Sequence, residues 1–168
     1  EMNALRARLE ENPEDLQALT RMAHMFHDIQ SWDQAKPYYE RAIALAPNDP
    51  DLITDWGVCY VGTADFDRAL ELFEKRRDAV NAIRAVDRLL ALRPDDVVLH
   101  HQKTEFAIMM NDRDLLISAY LDLAVCLRRQ NGFRSARTVY GRILDLDSRN
   151  GEARAGIAAV EAGELARE

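Results

Sequence analysis

Catalytic signatures are absent from this sequence. It has no glycine-rich phosphate loop, no Gly-x-Ser-x-Gly elbow and no His-Glu-x-x-His helix, so no motif marks a nucleotide, ester or zinc-peptidase site. Cysteine is scarce. Cys59 and Cys126 alone can form neither a disulfide framework nor a structural zinc centre, and neither has a histidine at a catalytic spacing. Free thiols suit a reducing compartment, so the cytoplasm is favoured and the compartment is otherwise left open. Long apolar runs are missing as well. Residues 115–121 are typical, seven uncharged positions with Ser118 among them, closed off by Asp114 and Asp122, where a bilayer would need about twenty. No excess of positive charge is present either. The formal net charge of −7 repels phosphate backbones, so nucleic acid is not an expected partner.

What is present is helix-forming sequence. Five prolines and seven glycines punctuate 168 residues, while Ala, Leu, Arg and Glu dominate; 48% apolar with 30% charged suits a folded, core-forming chain. Polar stops recur at residues 12–15, 46–50, 93–96 and 147–150. Each ends one helix and offers an Asp, Asn or Ser to cap the next. The expected fold class is all-α.

The chain matches itself at an offset of 34. Met22 falls on Trp56, Ala23 on Gly57, Phe26 on Tyr60, Trp32 on Phe66, Asp33 on Asp67, Ala35 on Ala69 and Tyr39 on Phe73. A third copy runs through Tyr120, Leu123, Ala124 and Leu127, then Phe133, Ala136, Tyr140 and Ile143. Small residues let paired helices approach, and the aromatic rings fill the space between neighbouring hairpins. This pattern resembles the tetratricopeptide repeat, a 34-residue helix-turn-helix unit. The resemblance implies a right-handed superhelix of antiparallel helix hairpins.

In that frame residues 1–168 form a single domain, with repeats at about 16–49 and 50–83, an irregular stretch at 84–116, a further repeat at 117–150 and a capping helix at 151–168. Residues 2–11 read as the tail of an earlier second helix, so more chain is expected before them. Residues 66–93 lack both Gly and Pro yet carry two second-helix patterns, Ala69 with Phe73 and Ala82 with Val86 and Leu89. One helix of that length exceeds the repeat, so a bend or a missing piece of chain is expected at residues 75–78.

No residue is assigned a catalytic role, no cofactor is expected, and the chain is not expected to be an enzyme. His24, His27 and Asp28 share a helix face at spacings three and four, but no base sits between the histidines, and no metal site is assigned. His100 and His101 are adjacent and point apart, one expected to be packed and one wet. Five arginines, Arg128, Arg129, Arg134, Arg137 and Arg142, lie between Asp122 and Asp145 with no acid among them, a patch suited to an acidic partner.

Family resemblance implies a protein-interaction scaffold or adaptor that holds a segment of another protein in a concave groove lined by first helices. The groove residues it implies are Thr20, His24 and His27, then Thr54, Val58 and Val61, then Leu121, Val125 and Arg128. Chaperone-binding members grip a terminal carboxylate with Lys and Asn. Thr20, His24 and Asp55 stand at those places here, and Asp55 would repel a carboxylate, so that mode is not expected. The alternative is a self-associating scaffold. Residues 1–74 carry 6 basic and 15 acidic side chains and residues 75–168 carry 16 and 14, so acidic and basic halves of two copies could meet.

Overall fold

The computed structural model describes residues 1–165, among which there are ten helices and no strand. The expected capping helix at 151–168 is described as far as Leu165; its last three positions lie outside the described residues. The chain divides into two compact units, Glu1–Ala85 and Val86–Glu168.

Helix α1 (Met2–Glu11) opens the first unit, followed by α2 (Leu16–Asp28), α3 (Trp32–Leu45), α4 (Pro50–Gly62) and α5 (Phe66–Arg76). Helix α6 (Ala79–Leu92) carries the boundary between the units. The second unit continues with α7 (Val97–Met109), α8 (Arg113–Arg129), α9 (Phe133–Leu146) and α10 (Gly151–Leu165).

Acidic caps start most of these helices. Asp15 accepts from the Ala18 N–H, Asp49 from Asp51 and Leu52 with Pro50 opening α4, Asp96 from Val98 and Leu99, and Asp112 from Leu115. Each such bond satisfies a donor that the helix cannot, worth about 1 kcal/mol.

Five helix ends share one turn. Gln30, Ala64, Arg77, Asn111 and Asn131 all have φ between 54° and 63°. The following N–H then reaches a carbonyl five residues back, Ser31 to Phe26, Asp65 to Tyr60, Asp78 to Phe73, Asp112 to Ala107 and Gly132 to Leu127. This is the Schellman arrangement, which satisfies the last carbonyls; at four of the five the helices it joins pack together, α2 with α3, α4 with α5, α7 with α8 and α8 with α9. It also resolves residues 66–93. The expected bend falls at Arg77, where α5 stops; Asp78 then accepts from the Asn81 N–H at 3.1 Å and starts α6. Two helices therefore occupy that stretch.

In the first unit Leu19, Met22, Ala23, Ala35, Tyr39 and Cys59 are sealed from solvent. In the second, Leu123, Ala124, Ala136, Tyr140, Ile143 and Val160 do the same. Fully burying one such large side chain is worth about 2 kcal/mol. The small residue of the repeat has a direct steric role: a β-carbon on Gly57 would lie 2.5 Å from Cε1 of Phe73, so α4 and α5 pack this closely only because position 57 is glycine. Both cysteines are buried within α4 and α8. His100 is buried and hydrogen-bonded through Nε2 to the Pro94 carbonyl at 2.9 Å, whereas His101 is exposed.

Candidate functional site

Helix α2 carries Thr20, His24 and His27, α4 carries Thr54, Val58 and Val61, and α8 carries Leu121, Val125 and Arg128. The spacing within each trio is four then three, which sets its members along one helix face. All nine are half-buried. The buried residues of each helix, such as Met22, Trp56 and Leu123, lie at other phases and face the hairpin cores.

In the first unit the histidines are tied to their surroundings. His24 Nε2 lies 3.2 Å from Oδ2 of Asp55, joining α2 to α4, and its ring centroid is 5.9 Å from that of Tyr39. His27 packs edge-on against Trp32 at 5.1 Å and Tyr39 at 6.3 Å. Lys36 bridges α3 to α4, 3.3 Å from the Thr63 hydroxyl and 5.2 Å above the Tyr60 ring. Burial, reinforced by the charge of Asp55, pushes the Tyr39 hydroxyl well above its ordinary range. Burial likewise pushes the Cys59 thiol up to about 12, with Asp55 adding to the shift and Lys36 opposing it. Neither of these two buried groups is ionised near neutrality, so neither is an activated nucleophile. Among the described residues no group of three or more His, Cys, Asp and Glu side chains could hold a metal ion.

The second unit holds a groove of about 460 Å³ between α8 and α10. Helix α8 contributes Leu121, Asp122, Val125 and Arg128, and the Tyr140 ring of α9 forms part of the wall. Helix α10 contributes Glu152, Ala155, Gly156 and Ala159. A second hollow of about 160 Å³ adjoins it across Asp122 and Val125, lined also by His100, Cys126 and Arg129. The groove residues implied by the family resemblance include none on α10, although the sequence carries the signal. Ala155 and Ala159 follow Leu121 and Val125 by 34 positions, so carrying the repeat frame into the last helix finds them.

Charges around the groove are unevenly satisfied. Lys103 sits 2.9 Å from Asp87 and 3.5 Å from Asp122, and Arg129 lies 3.5 Å from Asp95. Arg137 is paired with Glu161 at 3.2 Å. Two of the five patch arginines are thus neutralised by acids outside the 122–145 window. Arg128, Arg134, Arg142 and Glu152 have no ion-pair partner among the described residues.

Hairpins of this kind, with a small residue under an aromatic ring and a first-helix face left half-open, define a helical-repeat protein. Residues 28–81 match the tetratricopeptide repeat family. The fold is similar to that of YrrB, described as a tetratricopeptide-repeat protein with an unusual peptide-binding site, at TM-score 0.50 and 18% identity over 100% of this chain and 87% of that one. It is also similar to the C-terminal part of a tetratricopeptide repeat-containing protein from Cytophaga hutchinsonii, at TM-score 0.56 and 18% identity over 93% of this chain and 65% of that one. No curated protein matches the chain significantly in sequence. The fold is that of tetratricopeptide-repeat proteins, all-α and built of helix hairpins. It supports a protein–protein interaction scaffold in general, and members of the family are generally non-catalytic. Among the described residues no helix is long and apolar enough to cross a membrane.

Proposed function

We propose that this protein is a scaffold or adaptor whose α8–α10 groove holds a segment of another protein. The observation that carries the reading is the groove itself: three faces from separate helices leave a half-open trough of about 460 Å³ with an apolar floor and charges at its margins. Binding surfaces between helices commonly have this composition, apolar contact area supplying affinity and a few polar groups fixing register. The half-buried faces of α2 and α4, with His24, His27, Thr54 and Val58, supply a second contact surface in the first unit. Self-association through acidic and basic halves has less support, since Arg129 and Arg137 already have acidic partners within their own unit.

A displayed library of random peptides selected on the protein tests this reading. Selected peptides should lose binding to Val125→Glu, which places a charge on the floor, and keep it with Arg134→Glu, outside the groove. Both variants should retain wild-type helicity by circular dichroism. Equal binding to a folded Val125→Glu protein would sink the proposal.

A further inference from the structure

The α8–α10 groove carries more information than its shape. Its floor is apolar and shallow-sided on α10, where Ala155 and Ala159 leave room for a branched side chain beside Leu121 and Val125. Of its charged groups, Asp122 is offset by Lys103. Arg128 and Glu152 have no ion-pair partner among the described residues, and they carry opposite signs.

Their positions along the groove follow from the topology. Helices α8 and α10 flank α9 in two successive antiparallel hairpins, so they run in the same direction. Arg128 stands in the last turn of α8 and Glu152 in the first turn of α10, where each helix dipole favours that sign of charge. The 34-residue frame sets Leu121 level with Ala155, which puts Glu152 level with position 118. Ten residues of helix separate that level from Arg128, or about 15 Å along the trough. An extended chain covers that distance in about four or five residues.

We infer that the occupant is an extended segment bearing an acidic and a basic residue about four or five positions apart, with an apolar side chain between them. The acid meets Arg128 at the C-terminal end of the two helices, the base meets Glu152 at the N-terminal end, and the apolar residue enters the Leu121–Val125–Ala155–Ala159 floor. This rests on the groove being the partner-binding face. A purely acidic segment would leave Glu152 facing its own sign, and a purely basic one would do the same to Arg128.

Fluorescein-labelled nine-residue peptides test the pattern by polarisation. Each holds one Asp, one central Leu and one Lys in a Ser/Thr background, with the Asp-to-Lys separation varied from two to eight positions in both orders. The expected result is tightest binding at a separation of four or five. Arg128→Glu should weaken the best peptide about three- to tenfold, because reversal replaces an exposed attraction with repulsion. Exchanging that peptide's Asp for Lys should restore binding to the variant, and Glu152→Lys should behave in the mirror sense. Binding that ignores separation and is unchanged in both variants overturns the inference while leaving the groove reading intact. If these peptides fail to bind although library-selected peptides occupy the groove, the charge pattern is overturned in the same way. Failure of both sets overturns the groove reading and the inference together.

Discussion

Gly156 of α10 lies directly against the ring of Tyr140 in α9, leaving no space for a β-carbon. In an ordinary helix interior, glycine to alanine gains about 1 kcal/mol from backbone entropy alone. Overpacking a filled core costs about 1–3 kcal/mol, and the ring here is itself buried, so the steric cost should win. Gly156→Ala is expected to lower the urea midpoint. Adding Tyr140→Leu should give a double variant less unstable than the sum of the two single changes. A Gly156→Ala protein as stable as wild type would show that α9 and α10 can shift apart freely.

Ala64 presents the opposite case. It ends α4 at φ 60°, a left-handed conformation that disfavours residues with a β-carbon, and it has no side-chain amide to compensate. Glycine removes that strain and loses part of the gain to a more flexible unfolded chain. Ala64→Gly should therefore stabilise by roughly 0.5–1 kcal/mol in chemical denaturation. A destabilised variant would refute the strain argument for this turn.

The parts of this fold legible in the sequence are those fixed locally. Ala23 with Phe26 and Gly57 with Tyr60 recur at one spacing because every hairpin meets the same steric problem, and Asp15, Asp49 and Asp96 announce helix starts through bonds made within three residues. The break at Arg77 is legible only as an excess of pattern, since arginine is no usual turn residue and nothing in the local sequence announces its left-handed backbone. Charge pairing between helices is not legible in the sequence, unlike the pairs three residues apart such as Arg68 with Glu71. Arg129 finds Asp95 and Arg137 finds Glu161 across helix boundaries, so a window free of acids in sequence is not free of them in space. Glu152 carries no signal either, because a repeat frame that ends in a capping helix gives α10 no groove wall to form.

Burial of Tyr39 and Cys59 makes alkaline stability a measurable consequence. Well below pH 9, the ordinary thiol value, both groups are protonated in folded and unfolded chains alike and contribute no pH dependence. Above it the unfolded chain releases the Cys59 proton while the folded chain holds it up to about 12. The unfolded state then gains stability, so the free energy of unfolding should fall as pH rises from about 9 toward 12. The Tyr39 hydroxyl, also raised by burial, adds to the same slope. Cys59→Ala should shift the urea midpoint at pH 7 by its packing change alone and flatten the decline between pH 8.5 and 10.5. An identical slope in both proteins would mean that the thiol reaches solvent before unfolding.

Lys103 sets the charge balance beside the groove. Its side chain is 13% exposed, and burial opposes its charge, yet Asp87 and Asp122 together outweigh burial and leave the ammonium pKa raised. A cation with a raised folded pKa contributes its full stability below its unfolded value and loses it only as pH climbs through the folded value, so at pH 7 the contribution is intact. Lys103→Met keeps the packing of the stem but strands two carboxylates, each half-exposed and able to regain water. The loss should therefore be modest, about 1 kcal/mol, far from the cost of orphaning a fully buried charge. Part of it should vanish in 0.5 M salt, where the freed acids are screened. The same variant releases Asp122 at the groove margin, so basic peptides should bind it more tightly than wild type and acidic ones more weakly. A salt-independent loss with unchanged peptide preference would place Lys103 in a packing role alone.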